Sequence, residues 1–193
     1  LDFTFCLLQE HEDKYQLSKL ILKYIPANFL FLDKLSEGPA ITAFRAANHI
    51  TSDPLIIVNC DQIIEDLNWN QFLSFALNYD GVIGTFDSDN LKNSFAETDE
   101  NGNVIKIREK EKVGPHALNG LHFWRNGNFF LDSVVKMVSN NDRTNGEFYI
   151  APSYQYLINE EKIIKTYKFN KHFPIGIPED LEIFKKHLNE QNL

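Results

Sequence analysis

Short apolar runs alternate with amphipathic stretches along the first half of the chain. Phe3–Leu8 reads as a strand. Behind it, Leu17, Leu20, Ile21, Tyr24 and Ile25 recur at the i, i+3, i+4 spacing of a helix over Asp13–Tyr24, which Pro26 stops. Asn28–Leu32 is a second strand and Pro39–Ile50 a second helix. Leu55-Ile56-Ile57-Val58, opened by Pro54, is an unbroken apolar run of the kind found in strands buried on both faces. A helix through Trp69–Leu77 and a strand at Val82–Phe86 follow. This alternation predicts an α/β fold: a mixed, mainly parallel sheet with helices on both faces.

The second half has a different rhythm. Ser94–Thr98 and Val104–Glu109 flank Asp99-Glu100-Asn101-Gly102, and Asn-Gly readily takes the positive φ angles of a tight hairpin turn. Ala117–Trp124 is a strand, Asn128–Val138 and Phe148–Asn159 are helical, and Ile163–Phe169 is a strand. A last helix, Glu179–Leu188, carries Glu179 and Asp180 in its first turn and Lys185, Lys186 and His187 in its last, which suits the helix dipole. No linker or internal repeat divides the chain, so residues 1–193 read as one domain.

Charge narrows the partners. Nineteen Lys and Arg stand against 27 Asp and Glu, a formal net charge of −8. A nucleic-acid binder needs clustered cations to neutralise phosphates, so that class is excluded, while a small phosphorylated ligand needs only a few local donors. No apolar run nears the ~20 residues that span a bilayer, and neither a membrane nor a secretory leader is expected. Cys6 and Cys60 form no metal-binding pattern; both read as buried apolar positions in a reducing, cytoplasmic setting.

Ligands of open α/β sheets bind beyond the carboxyl ends of the strands, so residues just after each apolar run are the candidates. Asp61 follows the Pro54–Val58 run; it could hold a hard cation such as Mg²⁺ or simply cap the next helix. Arg108-Glu109-Lys110-Glu111-Lys112 closes a strand whose alternation would send neighbouring side chains to opposite faces. One or two of these charges could then reach a cleft. Glu147, after Asn145-Gly146, could be a ligand-facing carboxylate or a helix N-terminal one. Asn119-Gly120 lies inside a strand, where Gly often marks close approach of a ligand or of another backbone. His116 and His122 share a strand face but stand too far apart to co-ligate a metal. A Gly-x-Ser-x-Gly elbow and a G-x-x-x-x-G-K-[ST] loop are both missing.

In order, Glu37-Gly38-Pro39-Ala40, Asn59-Cys60-Asp61-Gln62, Asn93–Lys110, Ala117-Leu118-Asn119-Gly120-Leu121, Asn145–Pro152 and Pro174–Leu181 cover nearly the whole chain. Taken together they resemble the sugar-phosphate nucleotidyltransferase (sugar-nucleotide pyrophosphorylase) superfamily, nearest its capsule and surface-polysaccharide branch. The resemblance implies a GT-A-like, Rossmann-like fold and a nucleotidyltransferase reaction: NTP plus a sugar phosphate, or another phospho-alcohol, gives the nucleotide-linked product and pyrophosphate. It implies catalytic roles for Asp61 and Lys110, with Asp61 as the Mg²⁺ ligand. Gly38 and Pro39 would bind the nucleotide with Asp61, the glycine lying against the base where a side chain would clash. Glu109 would take sugar hydroxyls and Lys110 the acceptor phosphate, while Asn119, Gly120 and Glu147 would line the sugar pocket.

Two features depart from that pattern. Pro174 stands where many relatives carry a second metal-binding Asp. The family's opening strand and Gly-rich phosphate loop find no counterpart either, since the first glycine is Gly38. The expectation is a family member without its first strand, with an exposed sheet edge, poor stability or self-association, and no activity on its own. A glycosyltransferase of GT-A type is the competing enzyme reading, but it calls for Asp-x-Asp where Asp61-Gln62-Ile63 stands. A non-catalytic nucleotide- or partner-binding remnant is the third. Base, acceptor and oligomeric state are left open, a homo-oligomer included.

Overall fold

The computed structural model describes residues 2–191. Strand β1 (Thr4–Leu8) leads through α1 (Gln9–Tyr15) and α2 (Leu17–Ile21) to β2 (Asn28–Leu32), which pairs with β1 in parallel. After α3 (Pro39–Phe44) come β3 (Leu55–Val58), β4 (Gln62–Ile64), α4 (Trp69–Ala76) and β5 (Gly81–Phe86). The hairpin β6 (Ser94–Thr98)–β7 (Val104–Glu109) precedes the long strand β8 (His116–Trp124). Helices α5 (Gly127–Ser139) and α6 (Ser153–Asn159), β9 (Ile164–Lys168), β10 (His172–Pro174) and α7 (Pro178–Gln191) complete the chain.

Strand β8 organises the main sheet, in the order β7-β6-β8-β5-β9 with β3 also on β8. Its side chains alternate between two cores. Leu121 and Phe123 pack with Phe72 and Ala76 of α4, while Trp124 packs with Phe130, Val134 and Met137 of α5 and Tyr154 of α6. Val82 and Ile83 of β5 divide in the same way. The molecule is therefore a mixed α/β structure with helices on both faces of a central sheet. Its balance of directions is less parallel than the alternation implies: β1–β2 and β5–β9 are parallel, but β8 runs antiparallel to β3, β5 and β6. An apolar run records burial on two faces, not direction, and β8 is reached through a hairpin rather than a crossover helix.

Four helices differ from expectation, one of them α7, which runs on to Gln191 and so has no basic residue in its last turn. The Asp13–Tyr24 pattern breaks at Gln16, which is left-handed (φ 50°). Glu12 accepts hydrogen bonds from the Ser18 N–H and hydroxyl (2.9 and 2.5 Å), satisfying donors at the start of α2 and holding the break. Helix α3 stops at Phe44, and a short 3-10 turn, Ala47–His49, replaces its last stretch. Residues 148–150 are not helical; α6 begins only at Ser153.

Strands β1 and β2 form a sheet of their own, and none of their side chains joins either core. Cys6 Sγ reaches the Thr42 carbonyl of α3 (3.7 Å). Leu55 and Ile57 of β3 pack on the same core as Ile41, Ala43 and Phe44. Among the described residues, β1 pairs only with β2 and β3 only with β8. No described helix is long and apolar enough to cross a membrane.

Candidate functional site

One edge of β8 stays with β5 along most of its length, whereas the other edge changes partner. Leu121–Trp124 pair with β3, and His116–Ala117 pair with β6. Leu118, Asn119 and Gly120 lie between these neighbours, buried and outside both registers, with the Asn59 side chain against Gly120. The β5–β8 pairing is irregular at the same level, shifting register between Ile83 and Thr85. At that point Gly84 has no Cβ to collide with the Asn119 side-chain oxygen. Gly120 has φ 80°, and a Cβ there would sit 2.6 Å from Asn59 Cγ. The glycine thus admits a neighbouring side chain, and the Asn59 N–H donates to the Gly120 carbonyl (3.1 Å). Asn119 is buried; its Oδ1 accepts from the Leu121 N–H (3.1 Å), and its Nδ2 has no partner.

Asp61 leaves the end of β3 with an exposed side chain. The late Pro-rich motif runs beside it: Pro174 pairs with Gln62, the Ile175 N–H donates to the Asp61 carbonyl (2.8 Å), and a Cβ on Gly176 would lie 2.8 Å from Asp61 Oδ2. That motif approaches the carboxylate closely, and Pro174 brings no carboxylate of its own. Among the described residues, no group of three or more His, Cys, Asp and Glu could hold a metal ion.

The charged end of β7 is built differently from a regular strand. Lys110 takes φ 57°, so the alternation ends at Glu109 and the two adjacent charges join one cluster. Glu109 accepts from the Ser94 hydroxyl, and burial holds its carboxyl above the usual range, with Glu147 adding to the rise. The Lys110 ammonium donates to the Tyr149 hydroxyl (2.6 Å), which donates to Glu147 Oε2 (2.5 Å). Glu109, Lys110 and Glu147 therefore meet, whereas Asp61 shares no hydrogen bond or ion pair with them among the described residues. Glu147 is not a helix N-terminal carboxylate, because the helix starts six residues later.

Gly38 belongs to the same surroundings through Phe148. It takes φ 122°, and a Cβ would stand 2.5 Å from the Phe148 carbonyl oxygen and 2.7 Å from its nitrogen. This intrachain contact already demands a glycine, without any ligand. The Phe148 N–H donates to the Glu37 carbonyl (2.8 Å) and its carbonyl accepts from the Ala40 N–H (3.0 Å). Pro39 occupies the first position of α3, where its missing N–H costs nothing. Arg143 pairs with Glu37, donates to the Gly146 carbonyl (2.8 Å) and lies 4.0 Å over the Phe148 ring.

Sequence reasoning gave no role to Ser94, Gly84 and Arg143, and it took Asn59, Phe148 and Tyr149 only as members of the Asn59–Gln62 and Asn145–Tyr149 motifs. Tyr149 was within reach: in an extended segment, residues two apart share a face, which aligns it with Glu147. Of the histidines, His116 lies 3.3 Å from the Thr98 hydroxyl, and His122 is buried beside the stacked rings of Trp124 and Tyr154. Cys6 is half-buried, but Cys60 is exposed in the loop before Asp61 rather than buried.

No family model and no curated protein matches the sequence. Solved structures match widely at low identity. The nucleoside-diphosphate-sugar pyrophosphorylase from Vibrio cholerae RC9 is 18% identical, with a TM-score of 0.85 over 96% of this chain and 81% of its own. HddC from Yersinia pseudotuberculosis is 17% identical (TM-score 0.67, 97% and 78% covered). The inositol-1-phosphate CTP transferase from T. maritima is 14% identical (TM-score 0.67, 95% and 74% covered). The chain has the sugar-nucleotide pyrophosphorylase fold. At such identities the likeness is one of fold, and residue roles rest on geometry.

Proposed function

We propose that this domain transfers a nucleoside monophosphate from an NTP to a phosphorylated sugar, releasing pyrophosphate. The observation that carries the reading is a pair of charged sites at strand ends, the first being the exposed Asp61 after one strand. At the end of another, Lys110 stands between Glu109 and Glu147. One ammonium flanked by carboxylates suits a ligand that carries both a phosphate and hydroxyls. An acceptor phosphate oxygen would attack the α-phosphorus, and the bond to the β-phosphate would break with its electron pair leaving on pyrophosphate. Lys110 would hold and orient the acceptor phosphate, Glu109 and Glu147 would accept from hydroxyls, and the unpartnered Asn119 Nδ2 beside Gly120 would donate to one. The Gly38–Pro39 segment would border the nucleotide.

Asp61 fits Mg²⁺ in kind, since that ion is usually bound by one or two carboxylates while phosphates and water complete its shell. Bound there, the ion would neutralise phosphate charge. A second carboxylate from the late motif is not part of the reading, because Pro174 has none to give.

A sugar 1-phosphate is the first choice of acceptor, with phosphocholine or another phospho-alcohol next, and surface-polysaccharide synthesis in the cytoplasm is the setting. The single domain with room for one further strand belongs to the same proposal, supported by the unshared edges of β1 and β3. Calorimetric titration with each of four NTPs, with and without Mg²⁺, tests the reading, beside a pyrophosphate-release assay over these acceptors. Mg²⁺-dependent binding that Asp61→Asn abolishes is expected. Metal-independent binding unchanged by Asp61→Asn overturns the Asp61 assignment, and nucleotide binding with no turnover for any acceptor points to the non-catalytic reading.

A further inference from the structure

We infer that the Tyr149 hydroxyl is a positioning group that aims the Lys110 ammonium at a substrate phosphate; this rests on the nucleotidyltransferase reading given above. Lys110 is a long, exposed side chain on a left-handed residue at a strand end, and such a group ordinarily samples many rotamers. Here it is held twice. Its Nζ is 2.6 Å from the Tyr149 oxygen and 4.6 Å from the centre of the same ring. The backbone that carries the ring is anchored, because Phe148 and Ile150 are buried on either side of it in the chain. Tyr149 passes its own hydrogen to Glu147 Oε2 (2.5 Å), so the phenol oxygen is left to accept from lysine.

An ammonium has three hydrogens, and Tyr149 takes one. The direction of that bond fixes the cone in which the other two lie, which leaves both available to a phosphate. A lysine oriented before the ligand arrives loses less freedom on binding it. Tyr149 also ties this orientation to the Gly38–Pro39 segment, which the reading above gives to the nucleotide. The backbone of Phe148, next to it in the chain, is bonded to Glu37 and Ala40 around Gly38. The direction of the Lys110 shift agrees: its pKa is held above the ordinary value, first by the Tyr149 hydrogen bond.

The test is NMR on the full 193-residue chain with lysines labelled with ¹³C at Cε, which keeps all three ammonium hydrogens, Lys110 being assigned through Lys110→Arg. Two titrations, of pH and of inorganic phosphate, are followed in the wild type, Tyr149→Phe and Glu147→Gln. In Tyr149→Phe, which keeps the ring, the Lys110 pKa is expected to fall and phosphate to move the Lys110 signal about tenfold less tightly. Glu147→Gln leaves the hydroxyl an acceptor and is expected to lower the Lys110 pKa by less. A Lys110 pKa unchanged in Tyr149→Phe, or more sensitive to Glu147→Gln, overturns the positioning role. So does phosphate binding equal in the two tyrosine forms. If phosphate moves Lys110 in no form while Tyr149→Phe still lowers its pKa, the contact stands but the phosphate-site reading fails, and the inference with it.

Discussion

Gly38 and Phe148 touch backbone to backbone: the space for a Gly38 Cβ is taken by the Phe148 carbonyl oxygen and nitrogen, 2.5 and 2.7 Å away. Two costs therefore fall on Gly38→Ala. A non-glycine residue at φ 122° is strained by about 1–3 kcal/mol, and overpacking adds a similar amount. The expected loss is about 2–5 kcal/mol by urea denaturation. A loss below about 0.5 kcal/mol would show that the strap opens freely and holds nothing in place.

Arg143 reinforces the same strap by unequal means. Its ion pair with Glu37 is partly exposed, with 67% of the Glu37 side chain accessible, so the pair contributes about 0–1 kcal/mol. The hydrogen bond to the Gly146 carbonyl and the stack on Phe148 do not depend on Glu37. Glu37→Gln should thus cost less than about 0.5 kcal/mol and Arg143→Ala about 1–2 kcal/mol. A double-mutant cycle reads the coupling directly; equal single-variant losses would return the weight to the ion pair.

What the sequence reveals here is what is local. Asp99–Asn103 is read correctly as a hairpin turn because the Asp99 carboxylate accepts from the Asn101 and Asn103 N–H groups and Gly102 takes φ 72°. The apolar run ending at Val58 is a strand as expected, but a half-buried one with Val58 exposed rather than one buried on both faces, and Asp61 follows it as an exposed carboxylate. The Phe148–Ile150 segment goes unread because its shape is fixed by bonds to Glu37 and Ala40, more than a hundred positions away, which no periodicity records. Lys110 is misread for a related reason: strand alternation assumes regular φ, and Lys110 departs from it at 57°. The roles given to Gly38, Asn119 and Glu147 arise from motif resemblance rather than from pattern. For Gly38, the structure supplies a reason internal to the chain.

Strand β1 should be the weak member of the fold. It has one strand neighbour, all five residues are half-exposed, and its side chains lie outside both cores. Amides of Thr4–Leu8 are expected to exchange with solvent at least about a hundredfold faster than those of Val82–Ile83 and Leu121–Phe123, a gap of roughly 3 kcal/mol in opening free energy. Hydrogen-exchange NMR measures this directly. Protection equal to that of β5 and β8 would mean that β1 opens only with the whole molecule, against the prediction that it is an independent, labile unit.

His122 gives the stability a pH dependence that can be isolated. The imidazole is 4% exposed, stacked against Trp124 and Tyr154, and its Nδ1 has no hydrogen-bond partner. Burial pushes its pKa down to about 3, from 6.5. Below pH 6.5 the unfolded chain takes up a proton that the folded chain refuses. Stability is therefore complete above that pH and falls by about 1.4 kcal/mol per unit as pH drops towards 3. His116 and His172, whose pKa values burial also lowers, act with the same sign; Glu109, whose carboxyl burial raises, acts against it. Comparing the wild type with His122→Phe cancels those contributions, since they are common to both. The variant is expected to gain about 3 kcal/mol on the wild type between pH 7 and pH 4, read by urea melts at each pH. A difference constant across that range would mean that His122 can take up its proton while folded, through an opening of the β8–α6 packing that the static structure does not contain.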